Sequence, residues 1–276
     1  MTSLSRAETF RALHRPGHPL LLPSAWDHAS AAALHRRGFA AIGTTSLGVA
    51  AGAGLPDGTG AAREVTVRLG RLLAALPVPV SVDVEGGFSD DPAEVAATVS
   101  ELAAAGVVGV NLEDGRADGS LSDPELHADK ITAVREAAPG VFVNARTDTH
   151  WLRAAPTVRA ALDRAERYVR AGAHGLFVPG VKDQDTVTAL TGSLPVPLNV
   201  LHSPGGPSAA QLAEWGVARV STGSLLSRAA LQRAVDVAWA VGHTDAPPQP
   251  VPGYAEVQSL ATGSTGGSGA GPDCRG

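Results

Sequence analysis

Four residues in this sequence have side chains whose chemistry and spacing call for an explanation. Asp83 and Glu85 stand two apart at the end of the apolar run Val78–Val84, Glu113 closes Asn111-Leu112-Glu113, and Arg146 closes Asn144-Ala145-Arg146. Alternation along a strand puts Asp83 and Glu85 on one face. Carboxylates gathered at neighbouring strand ends repel one another unless protons or a cation intervene. A hard divalent ion, Mg2+, suits an all-oxygen donor set; with no Cys or His pair beside the acids, zinc is disfavoured. The alternative is structural, each acid paired with an Arg or a helix N-terminus. Arg146 could clamp a substrate carboxylate with two parallel hydrogen bonds, or pair with Glu113 or Asp148. Thr44, Thr45 and Ser46 offer hydroxyls and backbone N–H groups for an anion, or make an ordinary turn. His202, after Asn199-Val200-Leu201, is a candidate for proton transfer. Trp26 either walls the pocket or packs.

These residues need a frame that delivers strand ends to one place. Short apolar runs alternate with helical patterns along most of the chain: strands at Leu20–Pro23, Ala40–Gly43, Val78–Val84, Val107–Leu112, Val141–Ala145, Leu176–Val178, Val196–Val200 and Val217–Val220. Asp91-Pro92 and Asp123-Pro124 open helices, and Gly38, Gly106, Gly172 and Gly216 close them before the next strand. Eight strand–helix units predict a single α/β domain, a (βα)8 TIM-type barrel over residues 1–243 with a short N-terminal helix. A doubly wound open sheet uses the same signals and is the alternative. Residues 244–276 are read as a flexible extension, Pro-rich at 246–250 and then Gly/Ser-rich and disordered from Thr262.

Composition narrows the class. Hydrophobic residues make up 44% and charged residues 18% of 276, enough apolar material for a large core. A net charge of −5 argues against a nucleic-acid surface. Cys274 is the single cysteine, which rules out an internal disulfide. The polar start is not a signal peptide, and no apolar run is long enough to span a membrane. The expectation is a cytoplasmic protein.

Five segments, taken in order, resemble the isocitrate lyase/phosphoenolpyruvate mutase superfamily: Pro23-Ser24-Ala25-Trp26-Asp27, Gly43-Thr44-Thr45-Ser46-Leu47-Gly48, Val82-Asp83-Val84-Glu85-Gly86-Gly87-Phe88, Asn111-Leu112-Glu113-Asp114 and Asn144-Ala145-Arg146-Thr147-Asp148. The resemblance runs from about Phe10 to Gly242. It implies the barrel, Mg2+, small 2-oxo or 2-hydroxy carboxylate substrates, and homo-oligomers (dimer or tetramer) that often exchange the last barrel helix. It also implies that Asp83, Glu85 and Glu113 hold the metal, and that Arg146 binds substrate. Thr45, Ser46 and Leu47 would hold a carboxylate, and Asp57 would be a loop aspartate near the metal.

Departures bear on the reaction. The lyases of that superfamily carry a loop with an acid/base Cys; here strand four is followed by Gly115-Arg116-Ala117-Asp118-Gly119-Ser120. The mutases carry a His near the end of strand six, where this chain has Phe177-Val178-Pro179-Gly180. C–C cleavage through an enolate is therefore the leading expectation, as a lyase or an oxaloacetate-type decarboxylase. The alternatives are phosphonopyruvate-type P–C chemistry and a non-catalytic 2-oxo-acid-binding protein.

Overall fold

Nine strands, all parallel, form one continuous sheet in a computed structural model that describes residues 4–243 and 251–261. They are β1 (Leu20–Leu22), β2 (Ser24–Ala25), β3 (Ile42–Thr44), β4 (Val80–Asp83), β5 (Gly109–Glu113), β6 (Phe142–Arg146), β7 (Gly175–Phe177), β8 (Leu198–Leu201) and β9 (Arg219–Ser221). The helices are α1 (Arg6–Ala12), α2 (His28–Arg36), α3 (Ser46–Gly52), α4 (Arg63–Ala74), α5 (Pro92–Ala105) and α6 (Pro124–Ala137). They continue with α7 (Val158–Arg170), α8 (Gln184–Ser193), α9 (Ala209–Glu214), α10 (Leu225–His243) and α11 (Tyr254–Ala261).

The expected first strand is split at Pro23, which has no N–H to donate. β1 pairs with β9 and β2 pairs with β3, so one interrupted stave closes the ring from both sides. The Pro23 carbonyl still accepts from Gly43 N–H at 2.8 Å. Eight staves, an α/β barrel, are the result. The first long helix, α2, starts at His28, because the Asp27 side chain caps it by accepting from Ser30 N–H at 2.7 Å. Asp91 and Asp123 cap α5 and α6 in the same way, each followed by Pro at the first turn. A helix absent from the expectation, α3, forms directly after β3.

Alternation sorts the barrel into two regions. Val80, Val82, Val110, Leu112, Val143 and Leu176 face outward into a core shared with Val95, Val99, Leu102, Ile131 and Val134 of the helices. Inward residues form layers. Phe10 of α1 plugs the lower end against Phe142, with ring centroids 5.6 Å apart, and Gly109 leaves it room: a Cβ there would lie 2.7 Å from the Phe10 ring. Above the plug lies a polar layer in which Asn144 Nδ2 donates to Asn111 Oδ1 at 2.9 Å and Ser221 Oγ donates to Asn199 Oδ1 at 3.2 Å. Above that layer, at the C-terminal strand ends, lie Asp83, Glu113 and Arg146.

At the other end of the chain, no residue of the 19-residue α10 is buried. α11 instead packs on α2, where Arg36 Nη1 donates to Ser259 Oγ at 2.7 Å. The Pro-rich stretch 246–250 and the Gly/Ser-rich stretch from Thr262 lie outside the described residues. Among the described residues no helix is long and apolar enough to cross a membrane.

Beneath the ends of β5 and β6, α6 and α7 enclose a polar cluster. Asp114 is fully buried and accepts from Tyr168 Oη at 2.7 Å and from Arg164 Nη1 at 3.0 Å. His127 packs edge-on against Tyr168 at 4.6 Å, and neither of its ring nitrogens has a partner. Burial, opposed by Asp114, pushes its pKa from 6.5 down to about 4. An unfolded chain therefore binds a proton at His127 between those values while the folded chain does not. Stability from this group is present above pH 6.5 and is lost as pH falls toward 4. Replacing His127 by Leu removes that dependence. In urea melts, stability of the variant relative to wild type should rise as pH drops from 7 to 5; an offset that does not change with pH would contradict it.

Candidate active site

Arg146 ends β6 directly opposite Glu113 of β5, a register pair that puts their charges side by side. Its Nη1 lies 2.5 Å from Glu113 Oε2. Its other edge makes a two-pronged contact with Asp148, Nε to Oδ1 at 2.7 Å and Nη2 to Oδ2 at 3.0 Å. Asp148 is itself fixed, since its N–H donates to Asp114 Oδ1 at 2.8 Å, tying the site to the Tyr168–Arg164 cluster. Gly115 makes this approach possible: a Cβ there would fall 2.2 Å from Asp148 Oδ2. The guanidinium carbon sits 5.6 Å from the centre of the Phe177 ring. Burial alone would lower the Arg146 pKa, but Glu113, Asp148 and Asp83 outweigh it and hold it above the usual range. It stays a cation.

The acids feel the same burial with the opposite result. Glu113 and Asp83 are pushed up by desolvation, against the pull of Arg146 and with help from neighbouring carboxylates, including Asp57. Glu85 rises to about 7, mainly through burial, with the Gly60 N–H opposing and Asp57 and Asp83 adding to it. Asp83 Oδ1 and Glu85 Oε1 are buried without a partner. Such oxygens suit a hard divalent cation that neutralises them. Among the described residues no three His, Cys, Asp or Glu side chains stand close enough together to hold a metal unaided. An ion bound there would have to keep part of its water shell.

The alternation argument does not reach Glu85. β4 ends at Asp83, and Glu85 adopts φ +50, a left-handed conformation that is uncommon for a residue with a Cβ. Gly87 and Phe88 follow at φ +90 and +62. This strained turn is held by Glu113 N–H donating to Glu85 O at 2.9 Å and by buried Lys130, whose Nζ donates to Gly86 O at 3.0 Å. Glu85 consequently faces a different space from Asp83. A cavity of about 140 Å³ is lined by the Thr44–Leu47 segment together with Asp57, Asp83 and Arg146. Glu85 and Glu113 line an adjoining cavity of about 470 Å³.

Other candidates separate. Thr44 Oγ1 is occupied, accepting from Asp83 N–H at 2.9 Å. Ser46 N–H points at Asp83 Oδ2 at 3.4 Å. Trp26 is not in the cavity wall: its Cβ lies where a side chain on Gly48 would collide, so it packs over the start of α3. His202 is likewise outside the lining, although its N–H pairs with Ser221 O at 2.8 Å. Sequence reasoning missed several wall residues, among them Asn111, Trp151, Phe177 and Arg219. Arg219 had a signal, a charge inside the apolar run Val217–Val220. Trp151 had none beyond its closeness to Asp148.

Comparison with known proteins gives a consistent picture. An uncharacterized protein of Mycobacterium tuberculosis is 47% identical over 91% of this chain and 95% of its own. The 2-methylisocitrate lyase of Bacillus subtilis is 33% identical over 70% of this chain and 65% of its own. The structure of phosphoenolpyruvate phosphomutase from Streptomyces platensis superposes with a TM-score of 0.81 at 26% identity, over 93% of this chain and 95% of that one. Residues 10–241 match the family described as phosphoenolpyruvate phosphomutase. With that match spanning the barrel and every strand end described above, the chain belongs to this family of enzymes, within the isocitrate lyase/phosphoenolpyruvate mutase superfamily.

Proposed function

We propose that this enzyme cleaves a C–C bond in a small 2-oxo or 2-hydroxy dicarboxylate, with Mg2+ as cofactor. The observation that carries the reading is a buried, permanently charged Arg146 bracketed by Glu113 and Asp148 in a cavity that also holds Asp83 and the N-terminus of α3. Asp83 from one cavity and Glu85 and Glu113 from the adjoining one would hold the cation in part through its water shell, with Asp57 near it. When bound, that ion supplies Lewis-acid polarisation of the substrate's carboxylate and carbonyl oxygens.

The chain's own groups do the rest. N–H groups of Ser46 and Leu47 receive the carboxylate next to the carbonyl, beside Thr45, whose own N–H already donates to Ala25 O at 3.1 Å. Arg146 meets the negative charge that grows on the carbonyl oxygen as the bond breaks, and its contacts with Asp148 keep it from turning away. Fixed donors aimed at a developing charge need no rearrangement during the reaction. Decarboxylation of an oxaloacetate-like acid asks least of the protein, since CO2 departs without a proton. The segment 115–120, which carries neither Cys nor Lys, favours it over a lyase step that needs a loop acid.

Phosphonopyruvate-type P–C cleavage is the second reading, favoured by the family match itself. The β7 end at Phe177-Val178-Pro179-Gly180 offers no side chain to receive a phosphoryl group, which ranks it lower. We also assign a homo-oligomer, dimer or tetramer, to this enzyme. Leu231, Val235 and Trp239 recur every fourth residue on α10 and are 68%, 57% and 65% exposed, an apolar stripe that a second copy would cover.

Glu113→Gln keeps the size of the side chain and removes its charge. Magnesium-dependent turnover across a panel of oxo and hydroxy diacids and phosphonopyruvate should fall at least ~100-fold, and calorimetric Mg2+ affinity should drop with it. Retention of both by the variant would remove this mechanism. Release of pyruvate and CO2, or of inorganic phosphate, separates the two readings. For assembly, Leu231→Glu combined with Trp239→Glu should lower the mass seen by light scattering to that of a monomer. An unchanged mass would exclude α10 from the interface.

A further inference from the structure

A second guanidinium lies below Arg146, inside the barrel. Arg219 of β9 is 1% exposed and ranks among the largest fully buried side chains of the chain. Its Nε donates to Ser221 Oγ at 3.1 Å and its Nη2 to Asn111 Oδ1 at 3.0 Å. Asn111 Oδ1 is already shared, because it accepts from Asn144 Nδ2 as well. Arg219 Nη1 is buried and has no partner in the protein. Among the described residues Arg219 makes no ion pair; Asp83 is the one acid whose field acts on it favourably, and burial pushes its pKa down to about 9.

Taking a guanidinium out of water without a paired anion is among the costlier things a core can hold. Hydrophobic plugging would fill the space at lower cost, as Phe10 does one layer below. The side chain also presents a rigid fork of five donors, and the protein uses the Nε and Nη2 positions while the Nη1 edge stays free. Arg219 lines the same 140 Å³ cavity as Arg146, Ser46 and Asp83. A free donor edge, a buried charge and a cavity wall therefore coincide in one residue.

We propose that Arg219 is a specificity-determining residue: its free Nη1 edge receives a carboxylate of the bound acid remote from the reacting carbonyl. This rests on the reading of the cavity as a 2-oxo or 2-hydroxy acid site, and it adds the group that tells a diacid from a monoacid. Arg146 serves the reacting end and Arg219 the remote end, so an acid with a single carboxylate leaves Arg219 uncompensated.

Malate and lactate share the 2-hydroxy acid group and differ in the remote carboxylate, which makes them suitable probes. Calorimetry in saturating Mg2+ should show wild type binding malate roughly 30-fold or more tighter than lactate, the effect expected when a buried charge gains its partner. Arg219→Met, similar in length and uncharged, should bind lactate as wild type does and malate no better than lactate. Arg219→Lys should recover part of the preference. A wild-type ratio near one overturns the proposal without recourse to any variant. So does an Arg219→Met protein that keeps the malate preference, or one that loses both acids equally, since the latter makes Arg219 a prop for Asn111 rather than a ligand contact. Wild type that binds neither acid sinks the reading of the cavity itself, a different failure from a lost preference.

Discussion

A guanidinium that has left water must find acceptors within hydrogen-bonding reach, and carboxylates that have left water must find donors or cations. At the barrel mouth both demands meet in Arg146. Glu113 comes to it through strand register, Asp148 through the turn that follows β6, and Asp114 holds Asp148 from below. Two consequences follow from Coulomb's law in a poorly screened place. Arg146 is locked in its charged form. The acids Asp83, Glu85 and Glu113 are pushed toward protonation, first by burial and then by neighbouring carboxylates. On the proposed function, a bound cation would replace those protons in neutralising the acids.

The barrel supplies this arrangement because parallel strands end together. Each stave contributes inward residues at alternate positions, so a motif of the form Asn-x-Glu or Asn-x-Arg puts its Asn in the layer under its charge. Asn111 below Glu113 and Asn144 below Arg146 are bonded to each other, which couples the two charged residues through their supports. Pro23 shows the same economy. By ending ladder donation in one stave, it lets β1 serve β9 and β2 serve β3, and the ring closes without a ninth stave.

Much of this was legible in the sequence, and what was not has identifiable causes. Strand ends and their polar residues follow from local pattern, so the Thr44–Leu47 segment, Asp83, Glu113 and Arg146 could be placed beside one another. Glu85 could not. Its left-handed backbone depends on Gly86-Gly87 and on bonds from Glu113 and Lys130, partners 28 and more residues away that no window of sequence contains. The helix α3 was hidden in a glycine-rich stretch whose composition suggests a loop. Trp26, for which pocket wall and packing were both open, lies against Gly48, where a Cβ would come within 2.9 Å of its own. Arg219 was in plain view and was passed over because the run around it reads as ordinary buried strand.

The segment after β5 has the most to say about the chemistry. It is a small hairpin rather than a long free loop: Gly115 bridges Leu121, Ser122 N–H donates to Asp114 O at 2.7 Å, and Arg116 is paired with Asp90 at 3.0 Å. Such a segment, fastened at three points, is poorly suited to swinging an acid over the substrate. It leaves the larger cavity, with Glu85 and Glu113 in its wall, beside the smaller one where Arg146 and Arg219 sit. On the proposed chemistry that division is workable. Bond breaking asks only for fixed positive charge in the inner chamber. The proton that later quenches the carbanion can come from water admitted through the outer one. A reaction needing a precisely delivered proton at the moment of cleavage would be ill served by this architecture, and loss of neutral CO2 is the step that needs none.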